Sequence, residues 1–120
     1  VRDTFVYNSI SDSPGTRTDH SQSDVINYFE LGIDKIDVSG IDADVNTPGN
    51  ESFVFNIATT NGTGMVPYSI GVEYSTTHAP SIYFDVTGDG NADMVIDFYN
   101  TIYNTAVFEG YKFTAADFIL

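Results

Sequence analysis

Short runs of β-branched and aromatic residues recur along the chain, each broken by a cluster of Gly, Asn, Asp, Ser or Thr. Runs of this length and composition predict strands joined by turns rather than helices. Val1–Ile10 reads as the first strand and Ser11–Ser23 as a polar loop. Asp24–Phe29 and Ile33–Val38 follow as short apolar segments joined through Glu30, Leu31 and Gly32. Ile33, Ile36, Val38 and Ile41 interleave with Asp34, Asp37 and Asp42, which places the apolar side inward. Asp37 and Asp42 suit turns in which a carboxylate accepts backbone N–H groups. Asp42–Glu51 reads as a loop with a turn at Pro48-Gly49-Asn50, Phe53–Ile57 as a strand, and Thr59–Gly64 as a loop. Val66–Tyr74 reads as a strand whose Pro67 suits a start or an edge. Thr76–Pro80 is a turn, Tyr99–Thr105 has no clear pattern, and Val107–Phe113 reads as a last strand. Thr114 is placed to cap a single helical turn through Ala115, Ala116 and Asp117. The expected fold is all-β, with at most one short helical turn near the C-terminus.

The clearest stretch is Ser81–Phe98. Its apolar runs Ile82–Phe84 and Met94–Ile96 flank an Asp- and Gly-rich loop, the pattern of a β-hairpin. Gly88 and Gly90 supply the positive φ angles that a tight return needs. The loop also spaces Asp85, Thr87, Asp89, Asn91 and Asp93 two residues apart. That spacing lets side-chain oxygens converge on one hard cation such as Ca²⁺. An EF-hand loop would end in a bidentate Glu where this chain has Ile96, and would lie between helices, so the expectation is a Ca²⁺ loop set in a hairpin.

Composition narrows the picture. A chain of 120 residues, 42% hydrophobic, suits one domain with its own core. The formal net charge is −13, from 17 acidic and 4 basic residues. Such a chain repels nucleic acid and anionic membranes and attracts divalent cations, whose absence leaves the compact state self-repelling. Cysteine is absent, which excludes disulfides and thiolate metal sites. No apolar run reaches membrane-spanning length, so no membrane insertion is expected. Val1–Tyr7 lacks the charged-then-apolar order of a signal peptide, and the abrupt start leads us to expect a longer parent. No H-E-x-x-H or G-x-S-x-G motif occurs, and His20 and His78 fall in separate polar loops as surface residues. With this many acids, chance proximity of two carboxylates is no sign of acid–base catalysis. No catalytic residue is assigned, and any active site is expected upstream.

Several blocks together resemble one family. Asp3-x-Phe5-Val6-Tyr7 looks like the end of an RTX nonapeptide repeat, G-G-x-G-x-D-x-hydrophobe-x. The run from Asp24 to Ala43, with Phe29, Gly32, Asp34-Lys35-Ile36-Asp37 and Ser39-Gly40-Ile41-Asp42, is similar to D-x-I-x-D-F-x-x-G-x-D-K-I-D-L-S-x-I-D-A. Asn50-x-x-Phe53-x-Phe55, Asp85-x-x-Gly88-Asp89-Gly90-x-Ala92-Asp93 and the closing Thr114–Leu120 match later blocks in the same order. The signature is that of the C-terminal domain of serralysin-type (M10) metalloproteases and related secreted RTX proteins. Val1 departs from the repeat's usual Gly and Tyr28 from a frequent Asp, and the segment around Thr101–Gly110 is longer than usual.

The resemblance implies the end of a parallel β-roll over residues 1–42, continuing into a β-sandwich-like part over 43–120. It implies a non-catalytic domain of a larger RTX protein, secreted to the extracellular space by a Gram-negative bacterium through the ABC-type exporter of a type I system. The uncleaved export signal would be Asp117, Phe118, Ile119 and Leu120. It also makes Asp3, Asp24 and Asp34 candidate Ca²⁺ ligands at the β-roll end. A rival expectation comes from the aromatics. Tyr68, Tyr74, Tyr83, Tyr99, Tyr103 and Tyr111 could form a platform for sugar rings, which would make the chain a carbohydrate- or surface-binding module of an adhesin or a polysaccharide-modifying enzyme.

Overall fold

The computed structural model describes residues 2–59, 61–74, 80–99 and 113–120. The strands are β1 (Thr4–Val6), β2 (Asp24–Asn27), β3 (Lys35–Asp37), β4 (Val54–Thr59), β5 (Ser69–Glu73), β6 (Ser81–Phe84), β7 (Met94–Tyr99) and β8 (Phe118–Ile119). The fold is all-β, as expected. Most of the expected turn at Thr76–Pro80, most of Tyr99–Thr105 and of the expected strand Val107–Phe113, and the residues His78, Tyr103 and Tyr111 lie outside the described residues.

The strands form a three-stranded sheet, order β1-β3-β8, and a five-stranded sheet, order β2-β7-β6-β5-β4. The chain winds from β1 in the first sheet to β2 in the second and back to β3, which lies parallel to β1 with Phe5 opposite Ile36. That alternation is one coil of a roll, and it places strands from residues 1–42 in both sheets. β2 runs parallel to β7, and β4 parallel to β5. β5, β6 and β7 form an antiparallel meander in which Phe84 faces Met94 and Ile82 faces Ile96. The expected hairpin is therefore present in register. β8 returns to the first sheet, parallel to β3, with Ile36 opposite Phe118.

Local chemistry sets the ends of these short strands. β1 stops at Val6 rather than running to Ile10, because a single 3-10 turn, Ile10–Asp12, follows it. Ser9 caps that turn: its Oγ accepts the Ser11 N–H, and Asp12 Oδ2 accepts the Ser9 N–H at 3.1 Å. β5 starts at Ser69, two residues after Pro67, so the missing proline N–H falls outside the ladder. Thr114 caps the 3-10 turn Ala115–Asp117 as the sequence predicts.

Most of the core lies between the sheets. Phe29 is fully buried and its ring meets Phe5, Phe98 and Phe113 at centroid distances of 5.9, 5.5 and 5.6 Å. Phe118 extends the cluster through Phe113 and Phe55. The alternate side chains of β6 and β7, Tyr83 and Val95, face the other way, yet they are also buried. The loop from Ser13 to Ser23 and the loop around Gly62 cover them. Val95 N donates to Ser13 O at 3.1 Å, Ser13 Oγ donates to Val95 O, and a Cβ on Gly62 would stand 3.0 Å from the Tyr83 ring.

Candidate metal site

The β6–β7 hairpin positions the cluster. Asp85 follows the last residue of β6, and Asp93 precedes the first of β7. Asp93 N donates to Phe84 O at 2.8 Å, so the pairing of the strands brings the two aspartates to the neck of the loop. Asp85 is fully buried and organises the turn. Its Oδ1 accepts the N–H groups of Gly88 at 2.8 Å and Thr87 at 3.1 Å, and its Oδ2 accepts that of Gly90 at 3.0 Å. Both glycines have positive φ, +77° at Gly88 and +80° at Gly90. A side chain at Gly88 is excluded a second time, since its Cβ would stand 2.5 Å from the Tyr68 ring.

Asp93 Oδ2 accepts the N–H groups of Val86 at 2.9 Å and Thr87 at 3.2 Å, and the Thr87 hydroxyl lies 3.2 Å away. Asp89 sits at the exposed tip. The Asn91 backbone N–H, helped by the side chains of Asn91 and Thr87, holds the Asp89 carboxyl below the usual carboxylate value. Asp85, Asp89 and Asp93 each offer a carboxylate oxygen within 4.8 Å of the others. Two oxygens bound to one Ca²⁺ at ~2.4 Å are at most about 4.8 Å apart, so this trio fits a single hard cation. Three carboxylates fall short of the six to eight oxygens that Ca²⁺ takes. Thr87 and Asn91, which face Asp89, with backbone carbonyls or water, are the groups at hand to complete a shell.

A second acidic loop packs beside the first. Val45 N donates to Val86 O at 3.1 Å, and Asn46 Nδ2 to Thr87 O at 2.8 Å. Asp42 Oδ1 accepts the Asp44 and Glu51 N–H groups, and Asp44 Oδ1 accepts that of Asn46. This is the turn role expected of Asp42; Asp37 plays it too, accepting the Ser39 N–H at 2.9 Å. Burial, and then the hydrogen bond and charge of Asp42, push the Glu51 carboxyl above its ordinary value. Glu51 Oε2 is buried and has no hydrogen-bond partner among the described residues. Tyr68 and Asn46 brace the β6–β7 loop, yet nothing in a single run of sequence ties them to it; the two-residue spacing of Asp42, Asp44 and Asn46 is the one available signal.

The other predicted ligands are placed differently. Asp34 is 2% exposed, and its two oxygens accept the N–H groups of Asp3 and Glu30, each at 2.9 Å. Asp3 and Asp24 are exposed, and Asp24 interacts with the Tyr7 hydroxyl. Among the described residues, carboxylates converge in a trio only at the hairpin.

The C-terminal residues divide. Asp117 is buried: its Oδ2 accepts the Thr114 N–H at 2.9 Å and its Oδ1 the Gly32 N–H at 3.1 Å. Lys35 Nζ donates to the Ala116 carbonyl, pinning the same turn to β3. Phe118 is buried, whereas Ile119 and Leu120 are exposed. Of the tyrosines that could form a platform for sugar rings, Tyr83 is buried and donates to Glu73 Oε1, Tyr68 and Tyr74 are half-buried, and Tyr99 is 60% exposed.

No curated protein matches the chain at a significant level. A family profile described as peptidase M10 serralysin C terminal matches residues 1–119. With nearly every residue inside that match and an all-β roll and sandwich to go with it, the chain belongs to the serralysin C-terminal family.

Proposed function

We propose that this chain is the non-catalytic C-terminal domain of a larger secreted RTX protein, that it caps the end of a Ca²⁺-dependent β-roll, and that its last residues carry a type I export signal. The family match over residues 1–119 is the observation that carries the reading. The carboxylate trio of Asp85, Asp89 and Asp93 supports a cation role, and its all-oxygen donor set suits Ca²⁺ or Mg²⁺ rather than a softer metal. Bound there, Ca²⁺ would neutralise part of a net charge of −13 and stabilise the folded state by mass action. Asp3, Asp24 and Asp34 remain proposed ligands for ions shared with upstream repeats. The partner is the ABC-type exporter, and the location is extracellular.

Calcium titration tests the first half. Thermal unfolding should shift upward with Ca²⁺, and the shift should be largely lost in D89N, which leaves the buried Asp85 framework intact. An equal shift in the variant would remove the hairpin from the proposal. The export half needs a clean substitution. Deleting residues 117–120 removes Asp117 and Phe118 from the core, so it confounds export with folding. Replacing the exposed Ile119 and Leu120 by Ser should reduce export from cells carrying a type I system while leaving the unfolding midpoint nearly unchanged. Normal export of that variant would count against a signal at these residues.

A further inference from the structure

Asn61-Gly62 is the only Asn-Gly pair in the chain, and it lies in the loop between β4 and β5. An asparagine amide is a poor electrophile, and two features of this loop change that. Gly62 has no Cβ to crowd its own backbone nitrogen, the atom that closes a five-membered ring on Asn61 Cγ. Thr63 then gives two donors to the Asn61 side chain: its backbone N–H at 3.3 Å and its hydroxyl at 2.8 Å from Asn61 Oδ1. A backbone N–H only donates, so the atom it meets is the carbonyl oxygen, and Nδ2 is left as the leaving group. The two bonds draw electron density from Cγ. They also meet the negative charge that Oδ1 gains when a nucleophile adds, which is the principle of an oxyanion hole. Asn61 is exposed, so hydroxide and water reach it.

From this geometry we propose that Asn61 is a site of spontaneous deamidation activated by Thr63, and that its isoaspartate product loosens the hold of this loop on the β6–β7 turn. Hydroxide removes the Gly62 amide proton, the nitrogen bonds to Asn61 Cγ, and the Cγ–Nδ2 bond breaks as ammonia leaves with a proton from water. Water then opens the cyclic imide. Opening at Cγ gives aspartate, and opening at the main-chain carbonyl gives isoaspartate. No oxidant or reductant takes part.

The consequence follows from how Gly62 is held. It is buried at φ +86°, and the space its Cβ would fill belongs to the Tyr83 ring and Arg17. Its carbonyl accepts the Ala92 N–H at 2.9 Å, and the Met65 N–H donates to Gly90 O at 3.0 Å, so the loop is tied twice to the turn that carries Asp89 and Asp93. Isoaspartate adds one methylene to the main chain just before Gly62, which shifts Gly62 in that slot and weakens its bond to Ala92. Either product adds one negative charge to a net charge of −13.

The β6–β7 turn holds an internal comparison. Asp89-Gly90 repeats the pattern, with the Asn91 N–H on Asp89 Oδ1 at 2.9 Å and Gly90 at positive φ. There the same donors favour the carboxylate, and an anion resists attack by a deprotonated amide. The turn that keeps Asp89 inert activates an amide at Asn61.

The test incubates the whole chain at mildly alkaline pH and follows each asparagine by peptide mapping with mass spectrometry. Asn61 should convert before the other asparagines, to both aspartate and isoaspartate. T63V removes the hydroxyl donor and should slow conversion about fivefold, the worth of one hydrogen bond, while T63S keeps the hydroxyl and the rate. In urea, where the turn is lost, wild type and T63V should convert equally fast. In the isoaspartate fraction, separated by ion exchange, the Ala92 amide should exchange faster than in the unmodified chain, while the Val72 amide in β5 holds. Persistence of Asn61 while other asparagines convert would overturn the inference. So would equal native rates for wild type and T63V, a Thr63 effect that survives in urea, or unchanged Ala92 exchange in the isoaspartate fraction.

Discussion

The β6–β7 loop and the C-terminal segment use a buried aspartate in the same way and to opposite ends. Asp85 accepts the N–H groups of Thr87, Gly88 and Gly90, all within five residues of itself. Asp117 accepts from Thr114 and from Gly32, the latter 85 residues away. The first carboxylate builds a local cradle that leaves Asp89 and Asp93 beside it, with one oxygen of each within 4.8 Å of the others. The second is a tertiary tie that fixes the last strand to the turn before β3. A buried acid is therefore poor evidence for a ligand site until its bonding range is known.

Substitutions can break that contrast, the largest effects falling on the C-terminal side. Phe118→Ala removes a buried ring that touches Phe55 and Phe113, and should lower unfolding free energy by about 3–5 kcal/mol in urea denaturation. If the loss is under ~1 kcal/mol, the segment is not part of the core. Asp85→Ala leaves three N–H groups without their charged acceptor and should lower stability by ~3 kcal/mol without added Ca²⁺. It should also abolish any Ca²⁺-induced shift. D89N should do the second without the first, and a matching loss of stability would mean that the loop is not preformed.

The smallest expected effects concern pH. Asp37, Asp42 and Asp89 have lowered carboxyl values through backbone and hydroxyl donors, led by Ser39 Oγ, Asp44 N–H and Asn91 N–H respectively. Each contributes stability that is present above its unfolded value and lost as pH falls through the folded one. Glu51 is shifted upward, so its contribution is present at low pH and lost as pH rises. E51Q should accordingly raise the unfolding temperature at neutral pH, by on the order of a few degrees, with the gain fading toward pH ~4. A constant gain at all pH values would exclude a titrating cause.

Much of this was legible in local sequence because its causes are local. The hairpin follows from apolar alternation around Gly88 and Gly90, the Thr114 cap from four consecutive residues, and the turn roles of Asp37 and Asp42 from donors two residues on. The candidate trio was legible for the same reason, since the hairpin brings its residues together. The rest depends on partners that no window contains. Asp34 lies in the same acidic run as Asp37 but is buried because the Asp3 backbone crosses beside it. His20 lies in its polar loop as read, but its Asp97 partner is 77 residues along the chain and no local window shows it. The strand at Ile10 was overestimated because a polar Ser9–Asp12 cap competes with an apolar residue that would otherwise extend β1.

The parallel placement of β8 on β3 has a consequence for the order of events in folding. β3 is the middle strand of its sheet, flanked by β1 from the beginning of the chain and β8 from the end. That sheet stays incomplete, and the Phe113–Phe118 side of the core open to water, until residues 118 and 119 are free to pair. A chain emerging amino end first from a ribosome cannot close it early. Its contacts are of high sequence separation, so closure of this sheet should be a slow step of folding. The interval before this sheet closes is thus a property of strand order, before any ion is considered.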